Sequence, residues 1–391
     1  MQLTRCALVA ALIMPAPAPA PAAADTHAGT AAAGTWSQDG YGAGHTFYNP
    51  GESVINSSTV RQLRTRWTVT PRAAADSCPL APVAPLVAGD RMIVLEPAGN
   101  QVAAYDARTG RRLWSSSIGQ LEATALAVSG DTVIVSDVAC SSQSSDDSNV
   151  IALDSATGVL RWDSLWAYTT DQFVVSGGTV VTSGHCDLCA GDDAHQVAGW
   201  RVADGRLLWS RSGVVLAGPV ATRDGLVLTS ATARELTSVA EAASGRVRWS
   251  TGIRYEASAA DPVRPQVYVT GKAGLRALDR ARGRTLWTVR GETGELATDG
   301  RRVFVASAGR VNAYDTARGR LLWTRALRTP SHPVRAGGLL YVTSGRALLV
   351  LAPTTGATVR SFGSATDHVV VAGGRLLVTN GRTVKAFTPA G

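Results

Sequence analysis

The chain has 391 residues, longer than one hydrophobic core usually supports, which points to several domains or to a repeat array. Its 45% hydrophobic content is ordinary for a globular protein, and 40 glycines suit a fold with many tight turns. The net charge of +8 is almost wholly arginine, with lysine only at Lys272 and Lys385; the arginines are scattered beside turn glycines and form no run, which argues against a nucleic-acid surface.

The first residues read as an export signal. Arg5 follows a short n-region, Ala7 to Met14 is a brief apolar core, and an Ala/Pro tract leads to Ala22-Ala23-Ala24, where cleavage is expected near Ala24. The apolar run falls far short of the roughly 20 residues that cross a bilayer, and no later segment spans either. Cys6 lies ahead of the apolar core, where a lipid-anchoring cysteine would not be. The expected organisation is a signal at 1–24, an N-terminal extension at 25–56 and a repeat domain at 57–391, in a secreted or extracytoplasmic protein.

The repeat is the strongest signal. Ala104 to Trp114 reads Ala-Tyr-Asp-Ala-Arg-Thr-Gly-Arg-Arg-Leu-Trp, and it recurs at 152–162, 199–209, 239–249, 277–287 and 313–323. Each copy begins on a small or apolar residue, carries glycine at the seventh place and tryptophan at the eleventh. By subtraction, the tryptophans at 67, 114, 162, 209, 249, 287 and 323 are 47, 48, 47, 40, 38 and 36 residues apart. That is the period of a four-stranded propeller blade.

The chemistry of one unit explains its pattern. Arg91 to Leu95 and Val102 to Tyr105 alternate as half-buried strands do. Asp106 to Gly110 is a turn, in which the aspartate bonds the following backbone and the glycine tolerates positive φ. Trp114 then presents a large apolar ring from the outer strand. One such sheet cannot bury both faces, whereas sheets stacked around an axis can.

Six copies are complete, and a seventh at Val350 to Phe362 keeps Gly356 but has Arg360 at the tryptophan place. The chain ends on Thr383 to Gly391, an inner strand that stops at its turn. Leu63 to Val69, containing Trp67, is the candidate for its missing outer strand; pairing the two would close the ring and remove exposed edges. The expected fold is all-β, an eight-bladed β-propeller of four-stranded antiparallel blades, with seven blades as the alternative.

The small-residue, glycine, tryptophan spacing resembles the tryptophan-docking motif of propellers named after pyrroloquinoline quinone (PQQ) enzymes. Asn56 to Trp67 resembles the lead-in strand of that family. Trp36-Ser-Gln38-Asp-Gly40, with His45, Thr46 and Asn49, resembles the prelude of its exported bacterial members. The resemblance covers about residues 35 to 391 and implies docking roles for Trp67, Trp114, Trp162, Trp209, Trp249, Trp287 and Trp323. It embraces both quinoprotein dehydrogenases and a scaffold of outer-membrane protein assembly, so it does not choose a function.

The dehydrogenases imply an adjacent-cysteine disulfide, a tryptophan floor, oxygen ligands to calcium and a catalytic aspartate. This sequence has no adjacent cysteines and no acidic cluster on its axial strands, so neither PQQ nor calcium is expected. No Gly-x-Ser-x-Gly elbow or phosphate-cradling loop occurs. Trp166 and Trp200 fall outside the docking place and read as core or rim. His332 and His368 stand at the starts of innermost strands, as structural residues.

Beyond the signal, four cysteines remain: Cys78, Cys140, Cys186 and Cys189. An even number in an exported chain favours disulfides, and all four fall in connections that open on one face. The expectation is Cys186–Cys189 within the blade-three loop and Cys78–Cys140 across that face. His185, Cys186, Cys189 and His195 are the alternative, a zinc site, and a redox pair is a third reading. Asp146, Asp147, Asp187, Asp192 and Asp193 put negative charge on the same rim. The function expected is a non-catalytic monomeric scaffold presenting its loop-rich face to a protein or envelope polymer, without nucleic acid. The alternatives are a quinoprotein-type oxidoreductase with an atypical site and a metal-dependent hydrolase on these loops.

Overall fold

The computed structural model describes residues 34–71, 83–96, 100–118, 122–138, 147–234, 236–363, 366–381 and 383–390. The export-signal expectation, Cys78, Cys140 and Asp146 lie outside them. Among the described residues no helix is long and apolar enough to cross a membrane.

Eight blades of four antiparallel strands form a ring, which decides for eight blades over seven; the two-residue strand Tyr48–Asn49 adds to one of them, parallel to its innermost strand. Blade 1 sets the pattern from axis to rim with Leu86–Ala88, Arg91–Glu96, Gln101–Asp106 and Arg112–Ser117. The two middle strands are nearly all buried, because both their faces meet neighbouring blades; the outer strand alternates half-buried and exposed. Blade 8 is composite. Its inner strands are Val369–Ala372, Arg375–Asn380 and Thr383–Pro389, and its outer strand is Leu63–Val69, antiparallel to the last, with Trp67 opposite Ala386.

Each outer-strand tryptophan leans onto the third-to-fourth-strand turn of the next blade. Trp67 Nε1 donates to the Ala107 carbonyl at 3.1 Å, and its ring lies over Gly110. The same contact joins Trp114 to Ser155, Trp162 to Val202, Trp209 to Ala242, Trp249 to Arg280, Trp287 to Thr316 and Trp323 to Pro353, all between 2.8 and 3.1 Å. Glycine is required under the ring twice over. At Gly283 φ is +69°, and an added Cβ would meet Trp249 at 2.4 Å. Asp106 holds the turn open for the ring by accepting the Arg108 and Thr109 N–H groups at 2.9 and 2.8 Å.

Blade 7 has no tryptophan to offer, and blade 8 has no glycine turn to receive one, because the chain ends meet there. Arg360 fills the place: its guanidinium donates to the Val60 and Leu63 carbonyls and stacks on Phe362 at 4.3 Å. Trp166 and Trp200 belong to the core of blades 2 and 3, in edge contact at 6.4 Å, with their N–H groups on Gln196 and Thr182.

Residues 34–52, within the stretch read as an extension, are part of the ring. They run once around the axis along the C-terminal ends of the innermost strands, meeting the blades in order. Val87, Val128, Ala221, Ala260, Thr298 and Arg335 donate their N–H groups to the carbonyls of Trp36, Ser37, Ala43, Gly44, Thr46 and Phe47. At blade 3 the Gln38 side chain does both jobs, accepting from Val175 N and donating to its carbonyl. At blade 8 Asn49 Nδ2 donates to the Val371 carbonyl at 2.8 Å, and Glu52 accepts from Gly374 N at 3.0 Å. An innermost strand has one unpaired edge facing the axis, and this segment satisfies one donor or acceptor on each of the eight.

Candidate functional site

The encircling segment lines one end of the axial lumen, and the loops that connect successive blades stand at the other. A cavity of about 520 Å³ descends from that loop side between blades 5, 6 and 7. Its walls come from the start of Glu256–Ala260, the hairpin after Gln266–Thr270 and the start of Glu295–Thr298, with His332 from the lead into Val334–Ala336. Its floor is His45 of the encircling segment.

Two carboxylate–imidazole pairs meet at this floor. His45 Nε2 bonds Asp39 Oδ2 at 3.2 Å and Nδ1 bonds the Ser258 carbonyl at 3.1 Å. Both partners only accept, so the ring makes both bonds as an imidazolium. Burial opposes that charge, but Asp39, the Ser258 carbonyl and Glu295 outweigh it and raise the His45 pKa above the ordinary value. Burial likewise opposes ionisation of Asp39, yet the His45 hydrogen bond and the nearby His45, His332 and His368 hold its pKa low. The Asp39 side chain is 56% exposed, and its His45 partner 12%.

In the second pair His332 Nε2 donates to Glu295 Oε2 at 2.9 Å, and that bond, against burial, depresses the Glu295 pKa. The His332 ring stacks on Phe47 at 3.9 Å and meets His45 edge-on at 6.0 Å. His332 and His368 do stand ahead of innermost strands. Sequence reasoning missed Asp39, His45 and Glu295 as a group. Their only trace was the His45 prelude, and nothing in the spacing says that residue 45 faces residues 295 and 332 across a lumen.

These groups do not fit a quinone–calcium centre. Calcium takes about six to eight oxygens, whereas among the described residues this cavity and its floor offer the carboxylates of Asp39, Glu256 and Glu295, two of them tied to an imidazole. No tryptophan is left for a floor: of the ten, seven dock, two pack blades 2 and 3, and Trp36 is buried against Tyr41 and Phe47.

The loop picked out by its cysteines rises on the loop side. It joins Thr179–His185 to His195–Arg201 through a short 3-10 turn at Gly191–Ala194. Cys186 and Cys189 face each other in disulfide geometry, Cα atoms 5.3 Å apart, while Cys186 N donates to the Ala194 carbonyl. Sulfurs joined in this way offer no thiolate to zinc. His185 turns to Asp171, with Nδ1 2.8 Å from Oδ1. Among the described residues no group of three or more His, Cys, Asp or Glu is placed to hold a metal ion. Leu188 stands 74% exposed at the tip between the two cysteines.

The sequence profile described as outer membrane protein assembly factor BamB matches residues 63–251, 193–306 and 271–391. No curated protein matches the chain. Among solved structures, BamB from Moraxella catarrhalis is similar over 83% of this chain and 97% of its own, at 18% identity and a TM-score of 0.60. Quinohemoprotein alcohol dehydrogenase from Comamonas testosteroni is similar over 92% of this chain and 81% of its own, at 13% identity and a TM-score of 0.67. The computationally designed Ika8 protein is similar over 82% of this chain and 100% of its own, at 16% identity and a TM-score of 0.61. At such identities these structures speak to the fold alone, whereas the profile spans the ring from its closing strand to its last residue: the chain belongs to the PQQ-repeat propeller family described by outer membrane protein assembly factor BamB.

Proposed function

We propose that this protein is an exported, non-catalytic scaffold that binds a protein or a cell-envelope polymer through its loop-rich face. The observation that carries the reading is the make-up of the axis. The place where a propeller would seat a catalytic cofactor is ringed at one end by residues 34–52, and Asp39 and Glu295 there are hydrogen-bonded to His45 and His332. What the rigid ring presents outward is the set of loops at the other end. One of them is the blade-three loop, tightened by Cys186 and Cys189 and tipped by Leu188 and Asp187. The family description supports a scaffold, and the pattern of residues 1–24 supports export.

Site-directed photocrosslinking in the native envelope tests this. A crosslinker at Leu188 or Asp193 should trap a partner, and one at Thr109 or Thr157, on the tryptophan-docking turns of the opposite face, should not. Equal trapping from both faces would sink the assignment. Dye-linked oxidation with added PQQ and calcium should stay at background, and turnover there would replace the scaffold with an oxidoreductase.

A further inference from the structure

We infer that the axial cavity binds a small zwitterion, a free amino acid or short peptide carrying both an ammonium and a carboxylate. The site goes beyond the scaffold reading and does not depend on it. Its volume, about 520 Å³, is that of a small-molecule pocket.

The distribution of charge argues for the ligand class. Arg254 and Lys272 stand at the mouth on the blade-5 side, and Glu295 stands on the blade-6 wall. Glu295 spends Oε2 on His332 and keeps 58% of its side chain exposed to the lumen. Glu256, two residues after Arg254, adds a second carboxylate to the lining. An apolar ligand would strip water from these groups and return nothing. A simple anion would meet Glu295 and Glu256, and a simple cation would meet Arg254 and the His45 imidazolium. A ligand with both charges answers both walls: its carboxylate turned to Arg254, its ammonium to Glu295.

The floor is preorganised for such a guest. His45 is locked between Asp39 and the Ser258 carbonyl, and His332 is held by Glu295 and by stacking on Phe47. The His45 ring and the Asp39 and Glu295 carboxylates are thus held before binding, which limits the ordering cost.

Isothermal titration of the folded, mature-length chain with single amino acids and with a dipeptide panel tests the inference, with no protein partner present. At least one free amino acid or dipeptide should bind, and its N-acetylated and its C-amidated forms should each bind at least about tenfold more weakly, a loss near 1.4 kcal/mol. Glu295→Gln should abolish the difference between free and N-acetylated ligand, and Arg254→Gln that between free and amidated ligand. Both side chains are exposed, so both variants should unfold as the parent does. Amino acids against dipeptides separate the two sources of this chemistry. No heat from any member of the panel, equal binding of the blocked forms, or equal binding of acetate would each overturn the assignment.

Discussion

A Cβ added to Gly319 would lie 2.6 Å from the Trp287 ring, in a backbone whose φ is already +67°. Gly319→Ala should therefore destabilise by about 1–3 kcal/mol through strain and a displaced indole. Trp287→Ala, which empties a site only 7% exposed and removes one of the two donors on the Thr316 carbonyl, should cost about 3–5 kcal/mol. The double variant should cost less than the sum, since both changes break one contact. Urea unfolding measures all three, and a Trp287→Ala loss under about 1 kcal/mol would refute the docking role. Asp137 in blade 2 is a different case. It is fully buried, and burial, only partly offset by Asn149, pushes its pKa up to about 6. A carboxyl whose folded pKa is raised gives stability below its unfolded value near 3.8 and loses it as pH rises through about 6. Asp137→Asn should accordingly stabilise the protein at pH 7, by up to about 3 kcal/mol, and make no difference near pH 3. Thermal melts across pH check this, and a pH-independent effect would contradict it.

Among the elements, the eighth blade shows how strands far apart in sequence close a ring of repeats. Arg360 reaches the Val60 and Leu63 carbonyls because its own blade faces joined chain ends instead of a glycine turn. Arg360→Ala should cost about 1.5–3 kcal/mol, the range for a charged hydrogen-bond donor. Arg360→Trp, which restores the motif, should destabilise too, because nothing beneath it is shaped to accept an indole. Chemical denaturation separates the two possibilities, and a stabilising Arg360→Trp would show the slot to be equivalent to the others. The ring was legible in the sequence for a physical reason. Each blade solves the same packing problem, so Gly110 and Trp114 must recur in every copy, and a broken copy at Arg360 still counts as a blade. Sequence periodicity also exposed the unpaired outer strand at 63–69. The path of residues 34–52 was not legible, because its bonds run from Ser37, Ala43, Gly44 and Phe47 through main-chain carbonyls that any residue carries. The cavity stayed hidden for the same reason, since His45, Glu295 and His332 become neighbours only when the ring closes.

Taken together, the ring and the segment inside it tie the two halves of the molecule at two depths. At the rim Leu63–Val69 pairs with Thr383–Pro389, and at the axis Asn49 and Glu52 bond Val371 and Gly374 across 322 residues of chain. Open repeat arrays gain stability repeat by repeat, each unit resting on its neighbour. Here a chain ending at residue 363 would lack the last blade's own strands, leave Leu63–Val69 unpaired and strand the end of the axial segment at once. Such a truncation should show no cooperative thermal transition and should be digested throughout by protease; a sharp transition with only the N-terminal residues cleaved would show the seven remaining blades to be self-sufficient. The consequence concerns timing. Asn49 and Glu52 are made 322 residues before the groups they bond, so these contacts must wait for the strands of blade 8. The eighth blade therefore cannot form until residues from both ends of the ring are present, and the tie at the rim and the tie at the axis close together.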